Sequence, residues 1–243
     1  MDNAMLIGLS RQLTLRREMD ITANNIANAS TEGFKAERVL LEPREAARAR
    51  HQDGPARVQF VGEWAMGRDF TQGVLTPTGR PLDLALDGPG YFVLDTPAGE
   101  RFTRDGRFTL NAAGELTAAD GARVLDEGGA PIVINRELGP VEISANGALS
   151  QGGIPGPRLA LAAFEQPGLL SKTGDNRYQA PDDAERLDAR PEVRQGFSEA
   201  SNVRPILEMT RMMEVSRAYQ SVTRMIRDAD ELSRKAIERL GRP

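Results

Sequence analysis

The sequence predicts an α+β fold: long N- and C-terminal helices paired as a coiled-coil-like stalk, with a central antiparallel β-rich domain. Three observations predict it. Apolar residues recur at helical spacing from residue 2 to about 29. A seven-residue apolar repeat runs through the segment that begins at Pro205. Between them the chain breaks into short β-prone runs punctuated by Gly, Asn and Asp.

Residues 1–35 read as a helix followed by an Asn-rich turn. Met5, Met19 and Ile26 share one seven-residue register, Leu6 and Leu13 share another, and Leu9 and Ala23 fill the turns between. Met5, Leu6, Leu9, Leu13, Met19 and Ile26 are therefore the candidate interface of this helix. Arg16 and Asp20 interrupt the stripe. The helix runs into "ITANNIANASTEGFK". Asparagine is a mediocre helix former because its amide competes for nearby backbone groups. Asn24, Asn25 and Asn28 in that position therefore ask for a reason other than packing.

Residues 205–243 carry the stronger repeat. Met212, Tyr219, Ile226, Ser233 and Leu240 form one series; Val215, Val222, Ala229 and Ala236 form the second, three positions behind. These are the a and d spacings of a coiled coil. The candidate interface is Met212, Val215, Tyr219, Val222, Ile226 and Ala229. Pro205 suits a first helical turn, and no proline follows until Pro243. At 1.5 Å per residue such a helix runs roughly 50 Å, longer than a small domain. The two terminal helices are then natural partners for each other or for neighbouring molecules.

Residues 76–180 read as the β-rich domain. "GYFVLDTPAGERFTRDGRFTLNAAGELTAADGARVL" is a succession of hairpin candidates, with turns expected at Pro97–Gly99, Asp105-Gly106, Asn111–Gly114 and Asp120-Gly121. Asn146-Gly147 continues the pattern. Residues 36–75, Arg- and Ala-rich and broken by Pro43 and Pro55, read as a polar connector with room for a short helical piece. Residues 181–204 read as the return connector.

Composition narrows the chemistry. With no cysteine there is no disulfide or thiolate site, and one histidine, His51, leaves little for imidazole catalysis or metal binding. Ser10, Ser30, Ser150 and Ser171 lack the Gly-x-Ser-x-Gly elbow. "DGPG" and "QGG" are glycine turns without a phosphate-binding helix behind them. Asp83, Asp87 and Asp105 are ordinary turn formers unless the fold pairs them as acids. Asp126 and Glu127 lack calcium-loop spacing. The formal charge of −4 argues against a nucleic-acid footprint. No apolar run approaches the roughly 20 residues a membrane helix needs. Asp2 stands where a signal peptide carries positive charge, so export would need another route. No catalytic, metal or cofactor residue is assigned.

The motifs, in their order, resemble those of the bacterial flagellar basal-body rod proteins, most closely the proximal-rod members. The resemblance rests on "MDNAMLIGLSRQLTLRREMDITANNIANASTEGFKAE", "QGVLTPTGRPLDLALDGPGYFVL", "RFTRDGRFTLNAAGELTAADG" and "VRQGFSEASNVRPILEMTRMMEVSRAYQSVTRMI". Together they span more than half the chain. The resemblance implies a structural subunit that leaves through the flagellar type III export apparatus without a cleavable signal peptide. It would polymerise with other rod subunits and copies of itself in the periplasmic space. The terminal helices would line the resulting tube and the β-domain would lie farther out. Asn24, Asn25, Asn28, Gly33 and Phe34 would then form an assembly turn, with Gly33 at the bend and Phe34 anchoring it in an apolar pocket. A distal-rod or hook subunit is the nearest alternative. A rod-associated enzyme, such as a peptidoglycan hydrolase with a paired-acid cleft, is a remote one.

Overall fold

The computed structural model describes residues 2–45, 59–187 and 191–240. His51, Pro55 and the short helical piece considered for the connector fall outside them. The chain divides into two compact units. Unit 1 comprises Met1–Ala27, Glu37–Asp69 and Val203–Pro243; unit 2 comprises Asn28–Ala36 and Phe70–Asn202.

Unit 1 holds helix α1 (Asp2–Ala27), strands β1 (Glu37–Glu45) and β2 (Gln59–Arg68), and helix α2 (Pro205–Leu240). β1 and β2 pair antiparallel from Glu37↔Arg68 to Glu45↔Gln59, with an irregularity at Leu40/Leu41. The segment 36–75 therefore contains a long two-stranded ribbon. It packs on α1, as does α2. The two helices run antiparallel: Gly8 lies beside Ile226, Gln12 donates to Thr223 Oγ1 at 3.1 Å, and Asn25 reaches Glu208.

The expected coiled-coil-like stalk is not present. A coiled coil buries its leucines at a and d, yet Leu6, Leu9 and Leu13 are 51, 48 and 62 % exposed. The buried positions of α1 are Gly8, Thr14, Leu15, Ile21, Thr22 and Asn25, a different stripe made mostly of small and polar residues. The two threonines are satisfied within the helix: Thr14 Oγ1 donates to Ser10 O at 3.0 Å and Thr22 Oγ1 to Glu18 O at 2.8 Å. Gly8 brings the backbones close, since a Cβ there would stand 3.0 Å from Ile226 Cγ1. Of the repeat's candidate interface residues on α2, Val215 is buried and Met212, Tyr219, Val222, Ile226 and Ala229 are partly so. The α+β composition agrees with expectation, but the seam does not.

Unit 2 holds sixteen short strands. These are β3 (Leu75–Pro77), β4 (Leu84–Asp87), β5 (Tyr91–Thr96), β6 (Gly99–Thr103), β7 (Thr109–Leu110), β8 (Leu116–Thr117), β9 (Arg123–Val124) and β10 (Val141–Ile143). They continue as β11 (Ala148–Gln151), β12 (Ile154–Arg158), β13 (Leu161–Phe164), β14 (Ser171–Gly174), β15 (Arg177–Gln179), β16 (Arg186–Leu187), β17 (Glu192–Gln195) and β18 (Phe197–Glu199). The main sheet runs β14-β15-β6-β5-β9-β8-β7, with β13 joined to β5 and β16 to β13. A second sheet is β10-β11-β12, and β17 pairs with β4 and β18 with β3.

Strand β5 organises the core because its side chains alternate between two buried faces. Phe92 and Leu94 enter one cluster with Leu84, Leu86, Phe108, Val124 and Val193. Tyr91 and Val93 enter another with Phe102, Phe164 and Tyr178. Phe92 meets Phe108 edge-on at 5.1 Å, and Phe102 meets Phe164 likewise at 4.9 Å, the geometry the ring quadrupoles favour. The expected turns at Asp120-Gly121 and Asn146-Gly147 are present, with φ of 91° and 80° at the glycines. Asp105-Gly106 is not a hairpin turn. Gly106 instead lies against β4, accepting a 2.9 Å hydrogen bond from Leu84 N–H.

The topology bears on which fragment folds. A chain of residues 76–180 lacks β17, which covers the edge of β4 and brings Val193, 3 % exposed, into the core. It also lacks β18 and the 28–36 segment. A 28–202 chain is expected to melt in one cooperative transition with a β-type circular dichroism spectrum. The 76–180 chain should melt broadly and at lower temperature. Equal, sharp melts for both would show that the flanking segments add nothing to the unit.

Candidate functional site

Unit 1 explains one of the three asparagines. Asn25 is 1 % exposed near the end of α1. Its Nδ2 donates to Glu37 O at 2.9 Å and its Oδ1 accepts from Glu37 N–H at 2.9 Å. The side-chain amide thus stands in for a peptide group and closes both backbone valences of the first β1 residue. A second Nδ2 contact reaches Glu208 Oε2 on α2 at 3.2 Å. One side chain ties the helix end, the ribbon and the opposite helix together. Asn24 is exposed. Asn28 belongs to unit 2, where its Oδ1 accepts from Thr31 Oγ1 at 3.1 Å and its carbonyl from Thr31 N–H.

In unit 2, the 28–36 segment meets the 199–202 segment. Gly33 N–H donates to Glu199 O at 2.6 Å, and Ala36 N–H to Asn202 Oδ1 at 2.8 Å. Asn202 Nδ2 contacts Thr71 O and Oγ1 at 3.1 and 3.2 Å. Gly33 has φ 68°, and a Cβ there would stand 2.6 Å from the Arg104–Asp105 peptide. Only glycine meets both demands. Phe34 is 2 % exposed, with Lys172 Nζ 4.3 Å from its ring centroid, a cation–π contact.

Beneath this junction lies a buried ionic cluster. Lys35 Nζ donates to Glu199 Oε1 at 2.6 Å and to Thr71 O at 2.7 Å. Arg104 Nη1 reaches Glu199 Oε2 at 3.1 Å, and its Nη2 donates to Gly88 O at 2.7 Å. Gly73 N–H adds a 2.9 Å bond to Glu199 Oε1. Lys35, Arg104, Glu199 and Asn202 escaped the sequence reading. A lone Lys after "GF" and a lone Glu in "FSEASN" carry no periodicity, and their pairing across the chain leaves no local trace. Only their position inside the recurring motifs could have singled them out.

Elsewhere the three aspartates weighed as acids each face an arginine. Asp83 lies 3.4 Å from Arg80, Asp87 2.6 Å from Arg194, and Asp105 2.7 Å from Arg107. The Asp105 side-chain hydrogen bond raises the Arg107 guanidinium above its ordinary value. Among the described residues no group of three or more metal-ligating side chains occurs. An open groove of about 460 Å³ beside Leu125, Asp126, Asn146 and Arg186 lies away from the junction residues. No helix among the described residues is long and apolar enough to cross a membrane.

The same segments are the ones that match known families. Residues 5–35 match the family described as flagella basal body rod protein. Residues 85–151 match the flagellar hook protein FlgE/F/G D1 domain, and residues 194–239 the flagellar basal body rod FlgEFG protein C-terminal. The chain is 47 % identical over 243 residues to the flagellar basal-body rod protein FlgF of Caulobacter vibrioides, covering 100 % of this chain and 99 % of that one. It is 36 % identical to FlgF of Mesorhizobium japonicum, over 99 % of both chains. To FlgG of Caulobacter vibrioides it is 34 % identical, over 88 % of this chain and 90 % of that one. On full-length identity of this degree, together with three family segments in order, the chain belongs to the flagellar basal-body rod protein family, with FlgF-type members as its relatives.

Proposed function

We propose that the chain is a structural subunit of the proximal rod, polymerising with copies of itself and other rod proteins into the axial tube that transmits motor torque and forms part of the export channel. The observation that carries this reading is apolar surface on the two family-matched helices. Leu6, Leu9 and Leu13 on α1, and Ile206, Leu207, Met209 and Met213 on α2, are all exposed in the single chain. Large apolar side chains concentrated on one element mark an interaction surface. The subunit would reach the periplasmic space through the flagellar type III export apparatus, without a cleavable signal peptide. It would act by geometry rather than by catalysis, since the acids considered for hydrolysis are each held by an arginine.

A proximal over a distal position is supported by comparison within one organism, where identity to FlgF is 47 % and to FlgG 34 %. The D1 match is described for FlgE, FlgF and FlgG alike and does not separate them.

The test uses exposed positions, so that folding and assembly come apart. Leu9→Asp and Met213→Asp should leave the melting temperature of the isolated subunit within about 2 °C of wild type, as solvent-facing substitutions usually do. In cells lacking the native subunit, both variants should be exported at normal levels yet build few complete rods and restore little motility. Full motility with both would remove the exposed stripes from the assembly surface.

A further inference from the structure

Among the described residues the exposed methionines all lie on α2: Met209, Met213 and Met225 are 52, 54 and 63 % exposed. Met19, Met66 and Met212 are half-buried. Met209 and Met213 stand one helical turn apart, and Ile206 continues the same strip toward the start of the helix. Met225 stands at the level of Leu9, since Gly8 lies beside Ile226 and Gln12 meets Thr223 across the helix pair. Exposed thioethers thus occur toward both ends of the helix pair, beside the apolar side chains already assigned to assembly.

Neither hydropathy nor helix propensity calls for sulfur at these positions. Leucine matches methionine in helix propensity and nearly in volume, and leucine is what α1 exposes at Leu6, Leu9 and Leu13. What methionine adds is a polarizable thioether that an oxidant can reach. The chain has no cysteine, so no thiol competes for that oxidant.

We propose that Met209, Met213 and Met225 form an oxidation site at which hydroperoxides block assembly of the free subunit. The inference rests on the rod reading above. The thioether sulfur attacks one peroxide oxygen; an S–O bond forms as the O–O bond breaks, and sulfur gives up two electrons. The proton of the transferred hydroxyl passes to the displaced hydroxide, which leaves as water when the oxidant is hydrogen peroxide. The product is a sulfoxide, polar and chiral where the interface takes an apolar side chain, and such a change disrupts Met-rich contacts. Only subunits not yet assembled are open to it, because assembly covers the strip. A thiol-dependent sulfoxide reductase reverses the step, two thiols becoming a disulfide as the oxygen leaves as water.

Hydrogen peroxide on the purified full chain, followed by peptide mass spectrometry, tests the site. Met209, Met213 and Met225 should gain oxygen before Met19, Met66 and Met212, and the melting temperature should stay within about 2 °C of the untreated chain. Oxidation of all six at one rate would overturn the site. The effect on assembly is read in cells lacking the native subunit. Wild-type chain and the Met209→Leu/Met213→Leu/Met225→Leu chain are each scored against their own untreated culture, so any effect of leucine on assembly itself cancels. Sublethal hydrogen peroxide should cut complete rods about tenfold or more with wild type, and much less with the leucine chain. Equal losses would overturn the inference and leave the rod reading standing. No rods from untreated wild type would remove the rod reading, and the inference with it. A last measurement needs no variant: in isolated basal bodies the three methionines should oxidise about fivefold slower or more than in the free chain. Equal rates there would overturn the inference as well.

Discussion

Gly106→Ala is expected to lower the stability of unit 2 by about 3 kcal/mol or more, a large value for one methyl group. The added Cβ would stand 1.7 Å from Leu84 O and 2.9 Å from Phe92 Cε2. Neither neighbour yields easily. Leu84 is fully buried and its strand is held on the far side by β17. Phe92 is fully buried against Phe108. Relief therefore requires moving backbone, at the cost of the Leu84 N–H to Gly106 O bond. Gly121→Asn is the control. That glycine has φ 91° but nothing within 4 Å of a Cβ, and Asn tolerates positive φ better than most residues. Thermal melts should place Gly106→Ala roughly 6–12 °C below wild type, at about 2–4 °C per kcal/mol for a unit of this size. Gly121→Asn should fall only slightly. Equal shifts would mean that both glycines serve turns alone.

That pair also marks where the sequence was legible. Asp120-Gly121 and Asp105-Gly106 are the same dipeptide and read alike. Local turn chemistry reports only what the chain does to itself. It predicts a hairpin correctly at Gly121, where φ is positive and space is open. It says nothing about Gly106, whose demand comes from a strand some twenty residues earlier. The alternation "YFVLD" predicted a strand well, because period two is local and both faces of β5 are covered.

The helices show the same divide. Their existence was legible from apolar spacing, and Pro205 does begin α2. Their buried faces were not. The spacing points to Leu6, Leu9 and Leu13, whereas α1 buries Gly8, Thr14, Leu15, Ile21, Thr22 and Asn25. Burial of a threonine depends on a hydrogen bond back to the preceding turn, and burial of an asparagine on finding a peptide group to satisfy. Neither condition shows in a hydropathy pattern. The exposed leucines are then not an error of packing but surface left over, which is why they carry the assembly proposal. The ribbon within 36–75 was missed because its partner strands are separated by a long stretch rather than a two-residue turn.

Asn25→Leu should have the second large effect, and it separates a buried amide from a surface one. Leucine keeps approximate volume and raises helix propensity, so packing and local preference predict little loss. Hydrogen bonding predicts the opposite. Glu37, 7 % exposed, would lose the Asn25 bonds to its N–H and to its C=O. A buried bond lost in this way costs about 1–3 kcal/mol, so the two together set a range of about 2–6 kcal/mol, with loss of the Glu208 contact in addition. The cost falls on the join between α1 and β1, so exchange protection at the Glu37 amide should drop before that of Leu84 in unit 2. Asn24→Leu, one residue away on the exposed side, should change stability by no more than about 0.5 kcal/mol. In cells the expectation follows the same order. Asn25→Leu should be exported normally but build few complete rods, since the defect recurs in every subunit of a polymer, while Asn24→Leu should swim more nearly as wild type does. Should Asn25→Leu melt with wild type and restore full motility, its amide bonds would be worth no more than contacts with water, and the Asn-rich turn would owe its form to something else.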